Sequence, residues 1–243
     1  MKISNKPVEG WQSTVGRKSN KLTITGLVMA GMLTLLVGAS QADDKKPLTV
    51  KDVSDLVEAA QLAALDAQMD LRMEMKDSLS GQTQNYEGKV FTKSPGKVYV
   101  HYTKPEEQFL YVGDQGSQMY QPSEKMVYVQ KAAKGKDAKP VYLGVGQELK
   151  RYIDISKVKI ASENGDEMVL DFAPLDKDQS GFDHMKVTIR KKDWWPTQVE
   201  ITTPAMVNKV RFSQITLNKG LKDEIFDFTP PKGAQVVEGD IFQ

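Results

Sequence analysis

The sequence predicts an α+β protein, with one N-terminal helix followed by a curved antiparallel sheet or barrel of about ten or eleven strands. Three observations carry this. Apolar residues recur at three- and four-residue spacings from residue 53 to 64, then switch at Met69 to strict alternation. Beyond that point, runs of about five residues rich in Val, Tyr, Phe and Met recur between Gly, Pro and Asp turns. The 243 residues include no cysteine, so disulfides and thiolate metal sites are excluded and packing must hold the fold.

Residues 1–42 precede this pattern. Lys2, Lys6, Arg17, Lys18 and Lys21 stand against Glu9, residues 22–39 carry no charge, and Ser40-Gln41-Ala42 offers the small residues a signal peptidase accepts, just before Asp43-Asp44. A cleaved secretory signal is expected over 1–42, leaving a single domain over 43–243 in the periplasm. An uncleaved anchor is the alternative, because the uncharged run reaches the lower limit of a bilayer span. Thr23, Thr25, Thr34 and three glycines dilute it. Without cysteine the secreted chain cannot be lipidated after its signal, so it is not itself a lipoprotein. The net charge of +1, with acids slightly in excess beyond residue 42, excludes a nucleic-acid partner, which would need a basic surface.

The elements follow in order. After a charged linker, Thr49 or Ser54 caps a helix running to about Leu65, with Val53, Leu56, Val57, Ala60 and Ala64 on one face. In the first strand Met69, Leu71, Met73 and Met75 alternate with Gln68, Asp70, Arg72, Glu74 and Lys76. A meander follows over 86–92, 97–103, 108–112, 118–121 and 126–130, broken by Ser94-Pro95-Gly96, Pro105, Gly113 and Pro122. Residues 131–139, with four lysines, form a solvated loop. Val141, Leu143, Val145 and Leu149 lead into a short helix at Lys150-Arg151-Tyr152. Alternation returns at 158–161, 168–172, 185–189, 199–201 and 210–212, and in the last of these the apolar parity shifts by Ile215 and Leu217, as a β-bulge requires.

Chemistry-bearing motifs are absent. There is no G-x-S-x-G elbow, H-E-x-x-H pair, phosphate loop or dinucleotide fingerprint, so neither an enzyme nor a cofactor or metal is expected. His101 lies between Val100 and Tyr102 on a strand, facing away from both, and reads as a solvated histidine rather than a base or ligand. His184 stands beside Asp183 at a loop or strand end with no nucleophile near it. Ser117 and His184 are the one pair a lipid hydrolase could use, and nothing in the sequence brings them together. Asp43-Asp44 and Glu106-Glu107 read as solvated carboxylates.

The apolar faces say more. Met69, Met73 and Met75 opposite Val98, Val100 and Tyr102 make a wall of polarizable side chains able to repack around flexible guests. One helix and a short insertion are too little to cover so many strands, which leaves part of the concavity for a ligand. An ordinary core is the alternative.

The run Lys93-Ser94-Pro95-Gly96-Lys97-Val98-Tyr99-Val100-His101-Tyr102-Thr103-Lys104-Pro105, then Leu110-Tyr111-Val112-Gly113-Asp114 and Met119-Tyr120-Gln121-Pro122, resembles the periplasmic outer-membrane lipoprotein carrier family, the LolA-type proteins. The ending Phe226-Asp227-Phe228-Thr229-Pro230-Pro231-Lys232-Gly233-Ala234-Gln235-Val236 is similar to that family's C-terminal signature, and the resemblance covers most of residues 50–238. It implies an unclosed, strongly curved β-barrel with helices over its concave face. It also implies a cavity for the acyl chains of lipoproteins, taken from an inner-membrane exporter and delivered to an outer-membrane receptor. A monomer is expected. By alternation and position in the family pattern, Met69, Leu71, Met73, Met75, Val98, Val100, Tyr102, Leu110 and Val112 line the acyl cavity, and Leu143, Val145 and Leu149 belong to the lid. The family carries a basic residue immediately before the proline that is here Pro95, and its proposed role is to hold the lid shut. This chain has Ser94 there, so a more weakly latched lid is expected; Lys93, one place away, points to the other face.

Two other functions suit the same fold: a periplasmic lipid-binding sensor or regulator, and a carrier of another amphiphilic lipid. An apolar wall reads chain and not head group, so the sequence does not separate cargo lipids.

Overall fold

The computed structural model describes residues 46–132, 149–239 and 241. Thr49 is the cap that opens α1 (Val50–Ala63): its hydroxyl accepts the N–H of Asp52 at 3.2 Å while Asp52 accepts the N–H of Thr49 at 2.8 Å. Ser54, the other candidate, lies inside the helix and is buried. The helix buries Val53 and Val57 completely and stops two residues before Leu65. Asn218 supplies the reason. Its amide oxygen accepts the N–H of Leu65 at 2.7 Å and its nitrogen donates to the carbonyl of Ala63 at 3.2 Å, so the groups that would extend the helix are taken.

The strands are β1 (Asp66–Asp77), β2 (Thr83–Lys93), β3 (Lys97–Lys104), β4 (Gln108–Gly113), β5 (Gly116–Gln121), β6 (Met126–Lys131), β7 (Ser156–Glu163), β8 (Glu167–Pro174), β9 (His184–Arg190), β10 (Trp195–Thr202), β11 (Met206–Leu217) and β12 (Gln235–Glu238). They form one sheet in the order β12-β6-β5-β4-β3-β2-β1-β11-β10-β9-β8-β7, open between β12 and β7. Twelve strands replace the expected ten or eleven. The addition is β12, which lies parallel to β6 while every other neighbour pair is antiparallel. All four of its residues are exposed, so it carries no alternation to read. Two short helices, α2 (Leu149–Asp154) and α3 (Lys177–Ser180), complete the fold with a 3-10 turn at Asp223–Phe226. The expected short helix at Lys150-Arg151-Tyr152 is α2. The loop beyond Ala132 and the residues Val141, Leu143 and Val145 lie outside the described residues.

The register puts the apolar side chains in rows on one face, here the inner face. One row runs Met69, Val90, Val100, Leu110, Met119 across β1–β5. Another runs from Met73 through Val210, Val199, Val187 and Leu170 to Ile160 across β1, β11, β10, β9, β8 and β7. The parity shift expected near Ile215 is present: β11 accommodates one residue more than β1 opposite Gln68 and Asp70, and Gln214 takes a φ of 51°. A second irregularity, between Glu87 and Gly88, presses β2 onto β3 so closely that a Cβ at Gly88 would stand 2.3 Å from the carbonyl oxygen of His101.

The outer face of β2–β5 is built from aromatic rings. Phe91, Tyr99 and Tyr111 stack in register at 5.4 and 4.7 Å, and Phe228 from the C-terminal segment stacks on Tyr111 at 4.8 Å. That segment is held by Lys93, which donates to the carbonyl of Leu221 at 2.7 Å, and by Lys93 and Lys97, which both pair with Asp223. It then adds β12 to the edge of β6, where Lys131 pairs with Glu238 at 2.9 Å. Lys93 is thus committed to the C-terminal segment on the outer face.

Candidate functional site

The nine residues expected to line an acyl cavity share the inner face of β1, β3 and β4, since β2 joins β1 to β3 in register and β3 pairs with β4. They differ in depth. Met69, Leu71, Val100, Tyr102 and Leu110 are buried, whereas Met73, Met75, Val98 and Val112 are half-buried. Burial pushes the Tyr102 hydroxyl well above its usual range, so it stays a neutral phenol. Tyr86 meets Tyr102 edge to face at 5.9 Å.

The inner face carries two buried clusters. One, built from Met168, Leu170, Phe172, Met185, Val187, Ile189, Val199 and Ile201, lies with Val53 and Val57 of α1 and Leu149 and Tyr152 of α2. The other holds Ala64, Ala67, Met69, Leu71, Val90, Val100, Tyr102, Leu110, Trp195, Val210 and Phe212. Among the described residues, α1 and α2 pack on each other, α1 also on β7 and β10, and α2 on β7; on β1–β4 the comparable contact is that of the 3-10 turn with β3, and no α-helix packs there to the same extent. Leu149 is buried in the first cluster, while Leu143 and Val145 lie outside the described residues. Ser94 is exposed, and its backbone N–H donates to the carbonyl of Leu65 at 2.9 Å, which places the expected latch position against the end of α1.

Val90, Trp195, Val210 and Phe212 belong to the same cluster and were not among the expected wall residues. Val210 and Phe212 were legible as strand residues. Their place beside β1 follows from the strand order, which no local period records.

The histidines differ from expectation in their partners. His101 does face away from Val100 and Tyr102, yet it is not simply solvated: it stacks on Phe109 at 4.7 Å and its Nε2 lies 2.9 Å from Glu107. His184 opens β9 and meets Asp171 of β8 at 2.5 Å, while its sequence neighbour Asp183 pairs with Lys177. Ser117, buried on β5, is separated from β9 by six strands, so the sheet order does not make a dyad of it and His184. Glu106 accepts from Ser123 and Glu107 serves His101, both at the surface; Asp43-Asp44 lies outside the described residues. Among the described residues no three His, Asp or Glu side chains gather to hold a metal ion, and no helix is long and apolar enough to cross a membrane.

The sheet is open and mostly antiparallel, with apolar rows on one face and a helix over part of it. The model of the outer membrane lipoprotein carrier protein LolA family matches residues 68–229, and the chain belongs to this family. It is 28% identical over 160 residues to an outer-membrane lipoprotein carrier protein of Pseudomonas putida (strain GB-1), covering 64% of this chain and 73% of that one. A second carrier protein, from Pseudomonas entomophila (strain L48), is 24% identical over 215 residues, 87% of this chain and 97% of its own. The fold is similar to that of an uncharacterized conserved protein from Thermus thermophilus, with a TM-score of 0.52 at 14% identity over 78% of this chain and 98% of that one.

Proposed function

We propose that this protein is a periplasmic carrier that shields the acyl chains of lipoproteins against the inner face of its sheet and delivers them from an inner-membrane donor to an outer-membrane receptor. One observation carries the proposal: the inner face is apolar from β5 to β7, yet the described helices cover mainly its β7–β10 half. The half-buried Met73, Met75, Val98 and Val112 form the accessible margin of the other half. Membership of a carrier family supports the class of cargo.

The energetics suit a carrier without chemistry. A buried methylene is worth about 0.8 kcal/mol, so an acyl chain of about fifteen methylenes gains on the order of 12 kcal/mol by leaving water. An apolar wall supplies that without a catalytic group, and transfer then runs toward whichever site binds more tightly. In this account α2, which carries Leu149, belongs to the lid of a curved half-barrel. Residues 1–42 are its cleaved export signal, and 43–243 its single domain.

Met73→Glu tests the proposal on a half-buried position, where a charge costs less than in the fully buried core. Loss of binding of a fluorescent acyl probe, with the circular dichroism spectrum unchanged, is the expected result. Unaltered binding would remove the inner face of β1 from the site.

A further inference from the structure

Trp195 is 4% exposed within the cluster that holds Met69, Leu71 and Phe212, and its indole Nε1 has no hydrogen-bond partner among the described residues. A buried indole N–H ordinarily finds an acceptor, and one left without is a standing destabilisation that a phenylalanine in the same slot would avoid. The backbone is also shaped to present this side chain. Trp194 takes a φ of 55°, in the left-handed region, and the register of β9 against β10 slips between Pro196 and Gln198. Irregularities of this kind re-aim side chains. Their result is that two consecutive indoles serve different clusters: Trp194 packs against the one beneath α1 and α2, and Trp195 lies in the other.

We infer that Trp195 Nε1 is the donor that holds the ester carbonyl of a bound acyl chain. The inference rests on the carrier function proposed above and adds to it where the carboxyl end of the chain sits and what it must be. The acceptor has to be neutral. Among the described members of this cluster, the side chains other than Trp195 and Tyr102 are apolar, and a carboxylate buried among them would lack a counter-charge. An ester or amide carbonyl fits; the anion of a free fatty acid does not. The site therefore selects acyl chains whose carboxyl end is already an ester or amide, and the methylenes run from Trp195 along the row that begins at Met69.

The test pairs a conservative variant with two ligands: a cysteinyl peptide carrying two palmitoyl esters, and its twin carrying two hexadecyl ethers, which lack the carbonyls. The native protein is expected to prefer the ester by about threefold to tenfold, the value of one hydrogen bond. Trp195→Phe is expected to abolish that preference while leaving ether affinity within about twofold, since a ring still fills the slot. In the native protein the Nε1–H resonance of Trp195 should move downfield with the ester and stay in place with the ether; this reading needs no variant to fold. An unchanged ester preference in Trp195→Phe, or equal weakening of both ligands, would overturn the inference and leave the carrier function standing. Failure of both ligands to bind the native protein would overturn the two together.

Discussion

Asp66 Oδ2 accepts the backbone N–H of Gly220 at 2.9 Å, and this bond ties the first strand of the sheet to the start of the C-terminal segment. The same carboxylate, 4% exposed, also accepts Lys219 N–H at 2.8 Å and Leu221 N–H at 3.1 Å. Asn218, one residue earlier, holds the end of α1. Helix, sheet and C-terminal segment therefore meet at one corner. Asp66→Ala leaves three N–H groups without their acceptor and is expected to lower unfolding free energy by about 2–4 kcal/mol. The denaturant midpoint of the variant measures this; a loss under about 1 kcal/mol would show that water replaces the carboxylate at little cost.

Gly88 predicts a loss of a different kind. Any side chain there meets the β3 backbone, which cannot move aside as a flexible side chain would. Gly88→Ala is expected to destabilise the protein by about 1–3 kcal/mol, although alanine favours most ordered positions over glycine. A variant as stable as the native protein would mean that the bulge relaxes.

The parts legible in the sequence are those whose signal is local. Alternation from Met69 to Lys76 located β1 and its faces, the spacing of Val53 and Val57 located α1, and the parity shift near Ile215 located the bulge at Gln214. What escaped depends on neighbours distant in sequence. The exposed Val236 and Val237 show no alternation, and their partner β6 precedes them by half the chain, so β12 was not visible. His184 finds Asp171 across a strand pair, not the adjacent Asp183. The orphaned N–H of Trp195 exists only once the cluster around it is assembled.

The C-terminal segment should loosen in acid. Lys97 and Lys93 hydrogen-bond Asp223 and hold its carboxyl below the usual aspartate range. Because the folded value lies below the unfolded one of about 3.9, the contribution is complete above about pH 4 and is lost as pH falls through the folded value. Resonances of Phe228 are expected to shift toward those of a released ring below about pH 4. Asp223→Asn should show part of that shift at neutral pH. An Asp223→Asn spectrum identical to that of the native protein across this range would contradict the role of the pair.

Ser94 predicts the direction of lid control. Its backbone N–H donates to the carbonyl of Leu65 at the end of α1, and its hydroxyl carries no positive charge. We expect Ser94→Arg to slow exchange of a bound acyl probe by restoring a basic latch. Unchanged release rates would show that lid control in this chain does not pass through this position.

The most direct measurement is titration of the purified protein with a fluorescent acyl probe, followed by competition with a triacylated lipopeptide and with the same peptide unacylated. Displacement by the acylated peptide alone is the predicted result. If the probe does not bind, the inner face is ordinary core, and if both peptides displace it equally, recognition does not run through the acyl chains; either result contradicts the carrier account.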